Sequence, residues 1–366
     1  MIKKLLQTTF LVASLPCASF FFVSSAYAKG NHQHVGHNQS QNQNHVQLYA
    51  PAGVMGDHLH EVGSWMTSYN VSHMGMSGMR YGSSDVNQEE LRERFMVAPT
   101  KMNMTMQMFG IMYGITESTT VMAMVPHVQK NMSHVTRMGQ GFSTKTSGVG
   151  DAKVTILHDI GRFFGMGHAT HSQEEQRNNH QQLLVNIGIS LPTGSVNERG
   201  GTPMSADMLL AYPMQLGSGT YDPIMRISYS AAQEKWRYGA QAGAVIRTGN
   251  NNQGYRLGNQ YDVTAWVGRE VLSGLTLSTR LQGRIGGNIS GGVAGLNLMM
   301  APSANSDMHG SKAVDAFIGL QYAPKILDGK QPLELSVEAG APLYQHVDGY
   351  QMERDYQLLA RLRWSF

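Results

Sequence analysis

The 366-residue sequence has a single cysteine, Cys17, and only 14% of its residues are charged, against roughly 25% in an ordinary soluble domain. Its formal charge of +3 is too small to point to a nucleic-acid partner. Past the amino-terminal segment there is no run of about 18 apolar residues, which excludes a helical membrane bundle. The scarcity of charge argues against a cytosolic enzyme. No G-x-S-x-G elbow, H-E-x-x-H pair or P-loop occurs. Ser133 and His134 are adjacent, but neighbours on a strand point to opposite faces. No catalytic residue is expected. What the sequence does hold is 41 Gly and 25 Met in a 41% apolar chain, the profile of a glycine-rich extracytoplasmic β protein.

Lys3 and Lys4 precede an apolar run from Leu5 to Val23, and Ala26-Tyr27-Ala28 stands before Lys29. A basic region, a hydrophobic core and an A-x-A site make residues 1–28 an expected secretory signal peptide. Cleavage there removes Cys17, leaving no disulfide and no thiolate metal site. Residues 29–50, rich in His, Asn and Gln, are expected to form a disordered leader. His32, His34, His37 and His45 in it are weak divalent-metal candidates.

After residue 60 the strongest signal is a two-residue period. Lys101–Met108 reads KMNMTMQM, with four methionines on one face, suited to lipid or to a plug. Leu275, Leu277, Leu281 and Ile285 alternate with Thr276, Ser278, Arg280, Gln282 and Arg284. Side chains at this spacing fall on opposite faces of a strand. Twelve such segments are expected: 62–72, 101–113, 118–128, 150–160, 182–191, 222–233, 235–247, 259–271, 274–286, 312–324, 332–344 and 354–366. Most are longer than the five or six residues common in globular strands and match the ~9–11 that cross a bilayer. The expected fold is an all-β, closed antiparallel transmembrane β-barrel of about twelve strands in a Gram-negative outer membrane, since an open sheet edge cannot face hydrocarbon. Short inner turns alternate with long outer connections, except that residues 161–181 form a long inner one, which is either an insertion or a sign of mis-paired strands. Gln321, Arg280, Arg284, Glu334, Glu338, Arg361 and Arg363 are expected to line the lumen. The terminal Phe366 resembles the signal read by the barrel-assembly machinery.

The segments SGVGDAKVTIL (147–157), ISLPTGS (189–195) and LGSGTYD (216–222) carry G-x-G-D, L-P-T-G and G-S-G-T motifs. They resemble the family named for the MetA pathway of phenol degradation. PAGVMGDHLHEVGSWMTSY (51–69), MFGIMYGITESTTVMAMVPHV (108–128) and PMQLGSGTYD (213–222) resemble a methionine-rich subgroup of it. The resemblance implies an outer-membrane transporter-like barrel that passes small, often hydrophobic or aromatic, molecules. It brings no catalytic residues.

Methionine also packs irregular apolar surfaces, but methionine in loops has no packing role, and thioether sulfur favours Cu(I) while imidazole suits copper, zinc and nickel. SHMGMSGM (72–79) is expected to open the first outer loop with His73, Met74, Met76 and Met79. The second loop is expected to hold Met132 and His134, and the fifth Met308 and His309. His58 and His60, spaced i and i+2 just before the first strand, share one face if extended and belong at the periplasmic mouth. These ten residues are the candidate metal ligands, with copper as the ion. The expected function is passage or binding of a small solute with a link to copper handling. The alternatives are uptake of apolar or aromatic compounds and a non-conducting metal-binding surface barrel. Outer-membrane lipid is the expected surround.

Overall fold

The computed structural model describes residues 49–166, 179–293, 296–324 and 333–366, with backbone alone at 179 and 180. The expected signal peptide, nearly all of the leader and its histidines lie outside the described residues. The strands in chain order are β1 (Trp65–Gly82), β2 (Ser84–Val86), β3 (Val97–Thr116), β4 (Thr119–Thr136), β5 (Gly141–Val149), β6 (Lys153–Asp159), β7 (Asn179–Ser190), β8 (Arg199–Thr202) and β9 (Ser205–Leu209). They continue with β10 (Asp222–Gln233), β11 (Trp236–Val245), β12 (Tyr255–Arg256), β13 (Gln260–Leu272), β14 (Leu275–Gly286), β15 (Ser290–Gly291), β16 (Ser311–Tyr322) and β17 (Leu333–Ser365). One short helix, α1 (Gln88–Arg94), lies between β2 and β3.

All ladder contacts are antiparallel and the ring closes. Its order is β1-β3-β4-β6-β7-β10-β11-β13-β14-β16-β17, with β17 returning to β1. β17 pairs through Leu335–Val347 with β16 and through Val347–Ser365 with β1. It therefore crosses twice, reversing near Gly349, whose φ of 74° suits glycine. Counting its two arms separately, the ring matches the twelve expected segments. β5 and β6 lie in series along β4, β5 against His127–Val135 and β6 against Thr119–Met124. Asp159 opposes Leu184 across β6 and β7, so the strands beside 161–181 are correctly paired. The long inner connection is an insertion, of which 167–178 lie outside the described residues.

The barrel wall explains itself by what each face meets. At the short-turn end Trp65, Trp236, Tyr322, Trp364 and Phe366 point outward, and at the other end Tyr221, Tyr261, Tyr344 and Tyr356 do so. Two such aromatic girdles flank the apolar band of an outer-membrane barrel. Between them Val263, Leu277, Leu281, Ile318, Val337 and Leu358 are exposed to the outside. Among the described residues no helix is long and apolar enough to cross a membrane.

β1, β3 and β4 are longer than their sequence segments, and the first outer connections correspondingly shorter. The reason is an inversion of pattern. On their upper halves Lys101, Gln129, Asn131 and, on β5, Lys145 face outward into water, while Met102 and Met132 are buried inside. The backbone ladder continues past the hydrocarbon zone although the apolar side has switched faces. The KMNMTMQM stripe accordingly faces the lumen, not lipid.

The three short motifs of the family resemblance meet at one point. Asp151 accepts from the Gly194 amide at 3.0 Å and from the amide and hydroxyl of Ser218, each at 2.7 Å. Thr193 Oγ1 donates to the Gly150 carbonyl at 2.7 Å. A Cβ on Gly194 would lie 2.7 Å from the Gly217 Cα, so both chains need glycine there. The motifs build a clasp between the outer ends of β6, β7 and β10.

Candidate functional site

The lumen holds a plug made from the chain's own residues 49–60. Pro51, Gly53 and Gly56 interrupt this stretch, and it pairs with no strand. Its backbone polar groups must therefore find side-chain partners. The wall supplies them. Arg361 donates to the carbonyls of Ala50 (2.5 Å), Pro51 (3.1 Å), Ala52 (3.4 Å) and Val54 (3.0 Å). Gln321 and Gln241 donate to the Ala50 and Met55 carbonyls at 2.6 and 2.9 Å. Glu338 accepts the Gly53 amide at 2.5 Å and Thr120 the His60 amide at 3.0 Å. Tyr49 and Ala50, expected to end the leader, are buried, and Ala50 and Val54 pack on the inward-facing Trp266. Two glycines are sterically required. A Cβ on Gly53 would sit 2.2 Å from the Arg280 guanidinium, and one on Gly114 of β3 would sit 2.1 Å from the Glu61 carbonyl.

The charged residues expected to line the lumen do so, and they form a paired network against the plug. Arg280 binds Glu338 at 2.9 Å and Arg361 binds Glu334 at 2.9 Å. Arg363 reaches Asp57 of the plug at 2.8 Å and lies 3.2 Å from Glu334. These side chains are almost wholly buried, where an unpaired charge would cost several kcal/mol. Burial alone would raise the Asp57 carboxyl, but Arg363, with His58, holds it well below the usual carboxylate range.

The opposite arc is built of thioethers. Met66, Met108, Met112, Met122 and Met124, with Leu157 and Leu184, form one buried cluster on which Met55, Leu59 and Met106 pack. Higher in the barrel Met102, Met132, Leu210 and Met214 form a second, joined by Met76 and Met352. Met214 belongs to the loop before β10, which folds inward. Lys130 donates to the Pro213 carbonyl at 2.8 Å and Thr146 to that of Met214 at 3.0 Å. Tyr212 then meets Tyr255 and His309 edge-on at 4.8 and 5.4 Å, completing a roof. The lumen thus has a methionine wall on β1, β3 and β4, a charged wall on β14 and β17, a plug below and a roof above.

The candidate ligands distribute unevenly over this frame. His73, Met74, Met76 and Met79 stand in β1, not in a loop. Met74 and Met79 are buried, whereas His73 sits on the outer face with its Nδ1 2.9 Å from the Thr105 hydroxyl. Met132 and His134 stand in β4 on the inner face. His134 Nε2 lies 3.0 Å from the Thr144 hydroxyl and its ring stacks on Phe142. Met308 packs on the roof-side cluster around Met79, Leu91 and Tyr350. His309 is pushed down to about 4 by burial, partly offset by the Ser303 backbone. His58 and His60 do lie together, ring centroids 4.8 Å apart. Burial, then His58 and Arg363, push His60 down to about 3. Among the described residues no three His, Cys, Asp or Glu side chains gather as a metal cluster. The plug itself was not legible as such. Its only sequence signal is an apolar, glycine-interrupted stretch ahead of the first strand.

No family model and no curated protein matches the sequence. Among solved structures, an outer membrane channel from Pseudomonas putida F1 superposes with a TM-score of 0.55 at 14% identity, covering 86% of this chain and 99% of that one. The fold is that of an outer-membrane β-barrel. Looser likenesses include the beta domain of a Bordetella autotransporter (TM-score 0.37, 10% identity, 84% and 100% covered). The Pseudomonas putida toluene transporter TodX is another (0.34, 8%, 84% and 90%).

Proposed function

We propose that this barrel is a channel of the kind named for the MetA pathway of phenol degradation, through which a small solute passes along the methionine wall once plug and roof move aside. The observation carrying this reading is the pair of thioether clusters that follow one another inside the barrel, from the roof at Met214 to the plug at Met55. Leucine fills an apolar core with better-defined packing. Using sulfur throughout the wall favours a solute that sulfur recognises, and among metal ions thioethers select monovalent copper and its analogue silver. Met76 and Met132 belong to this track, and Met79 and Met308 to the cluster at its upper edge. The exposed Phe366 supports recognition by the assembly machinery.

The test is influx of Cu(I) or Ag(I) into liposomes carrying the refolded protein and a trapped chelating dye. Substituting Met106, Met108 and Met112 by Leu keeps the wall apolar and is expected to lower influx about tenfold, equivalent to ~1.4 kcal/mol. Metal influx unchanged by these substitutions would exclude the thioether route. Passage of phenol or toluene by wild type and variant alike, without metal influx, would favour an apolar solute, which methionine surfaces also accept. Electrical silence in planar bilayers after removal of the plug would favour a display barrel.

A further inference from the structure

We infer that the lumen holds two binding stations for Cu(I) or its analogue Ag(I), one at each end of the methionine wall. Each is a row of three methionines standing side by side on β1, β3 and β4. The choice of ion rests on the thioether reading above, and binding tests the stations apart from transport.

The ladder sets which side chains share a height. Met66 opposes Met112 across β1 and β3, and Met112 opposes Met122 across β3 and β4. Ten residues up β1, ~33 Å along the strand, the pattern returns. There Met76 opposes Met102 and Met102 opposes Met132. Every inward-facing height between the two rows has Ser, Asn, Gly, Val, Pro or Lys on at least one of the three strands. Both rows lie within the buried thioether clusters. Met214 from the roof loop and Met352 from β17 pack on the upper row, and Leu210 is the one member of that cluster without sulfur.

Neighbouring strands lie about 4.8 Å apart, which puts the outer two backbones of a row roughly 10 Å apart. A methionine carries its sulfur beyond two methylenes and turns about three bonds, and inside a closed ring the side chains converge. The outer two sulfurs of a row can therefore swing over the central one and close on a single ion. Thioethers are neutral and soft, and among metal ions they select monovalent copper. The cations beside the rows are already engaged. Lys130 donates to the Pro213 and Gln215 carbonyls, Arg354 pairs with Asp315 at 3.0 Å, and Arg363 pairs with Asp57 and Glu334. A single positive charge is the easier one to bury among them. Conduction needs binding firm enough for entry and loose enough, over more than one site, for exit. A station at each end, with single and paired methionines between, has that form.

The experiment saturates the refolded full-length barrel in detergent with Ag(I), a redox-stable stand-in for Cu(I), and removes loose ion by dialysis. Native mass spectrometry counts what remains and X-ray absorption reads the donors. Two ions with sulfur donors are expected, and excess Zn(II) is expected not to displace them. Leu at Met76, Met102 and Met132 together is expected to leave one ion, as is Leu at Met66, Met112 and Met122. Leucine for methionine nearly conserves volume, so a role in packing alone would leave the count unchanged. Nitrogen or oxygen donors in the wild type, or a count other than two, overturn the stations without any variant having to fold. So does a count unchanged in both variants. Two bound ions without influx into liposomes would keep the stations and remove the passage proposed above. Metal influx without retained ions would keep the passage and overturn the stations.

Discussion

Arg363, near the end of the last strand, donates to Asp57 of the plug across 2.8 Å, joining residues 306 positions apart. With Arg361 it makes β17 the hand that holds the plug.

Replacing Arg361 by Gln removes the donor to four plug carbonyls and one of the two guanidiniums paired with Glu334. Loss of one partner from a buried ion pair costs ~3–5 kcal/mol. The barrel itself, held by its ladder, is expected to fold, while the plug loosens. Single-channel recordings are the check, and openings should become several times more frequent than in the wild type.

Gly114→Val places a side chain where the Glu61 carbonyl runs, 2.1 Å from the ideal Cβ. The plug is expected to dock poorly without harm to β3, because the valine suits a strand. Faster hydrogen exchange confined to the amides of 50–61 is the outcome sought. Unchanged exchange there would contradict the packing of plug on β3.

Leu277 faces outward and is 50% exposed, opposite the buried Thr276 and Ser278. Leu277→Arg is expected to destabilise the barrel by ~2–4 kcal/mol, the cost of a cation on the lipid face near mid-bilayer. Urea unfolding in lipid vesicles measures it. A neutral effect would put this face out of contact with lipid.

Asp151→Ala removes the acceptor that ties Gly194 and Ser218 together. Leaving buried donors unsatisfied costs ~1–3 kcal/mol, so a lower unfolding midpoint is expected with conductance unchanged, since the clasp lies away from the plug.

His309 contributes a pH dependence to the roof. Burial depresses its folded pKa to about 4, below the ordinary value of about 6.5. The unfolded loop therefore binds more protons between these values, and the roof's stability is complete above pH 6.5 and declines as pH falls toward 4. Hydrogen exchange over 288–310, corrected for intrinsic rates, should rise from pH 7 to 5 in the wild type and not in His309→Gln.

The wall is legible in local sequence. Strand alternation, strand length and the rule that hydrocarbon tolerates no unpaired backbone fixed a closed barrel, its twelve crossings and the inward Arg–Glu face, because each depends only on local periodicity and the solvent outside. Where the outside changes from lipid to water that logic stops: Met102 and Met132 keep the ladder but reverse the pattern, so β1, β3 and β4 run on past their alternating segments. The placing of Ala50–His60 inside the lumen was decided by tertiary structure alone. Its hold is made by side chains such as Arg361 and Glu338, hundreds of residues away, and no local spacing encodes a partner at that distance. The same holds for the histidines and methionines. Their types were visible in the sequence, but only the closed ring decided that His73 faces out while His58 and His60 stand side by side within.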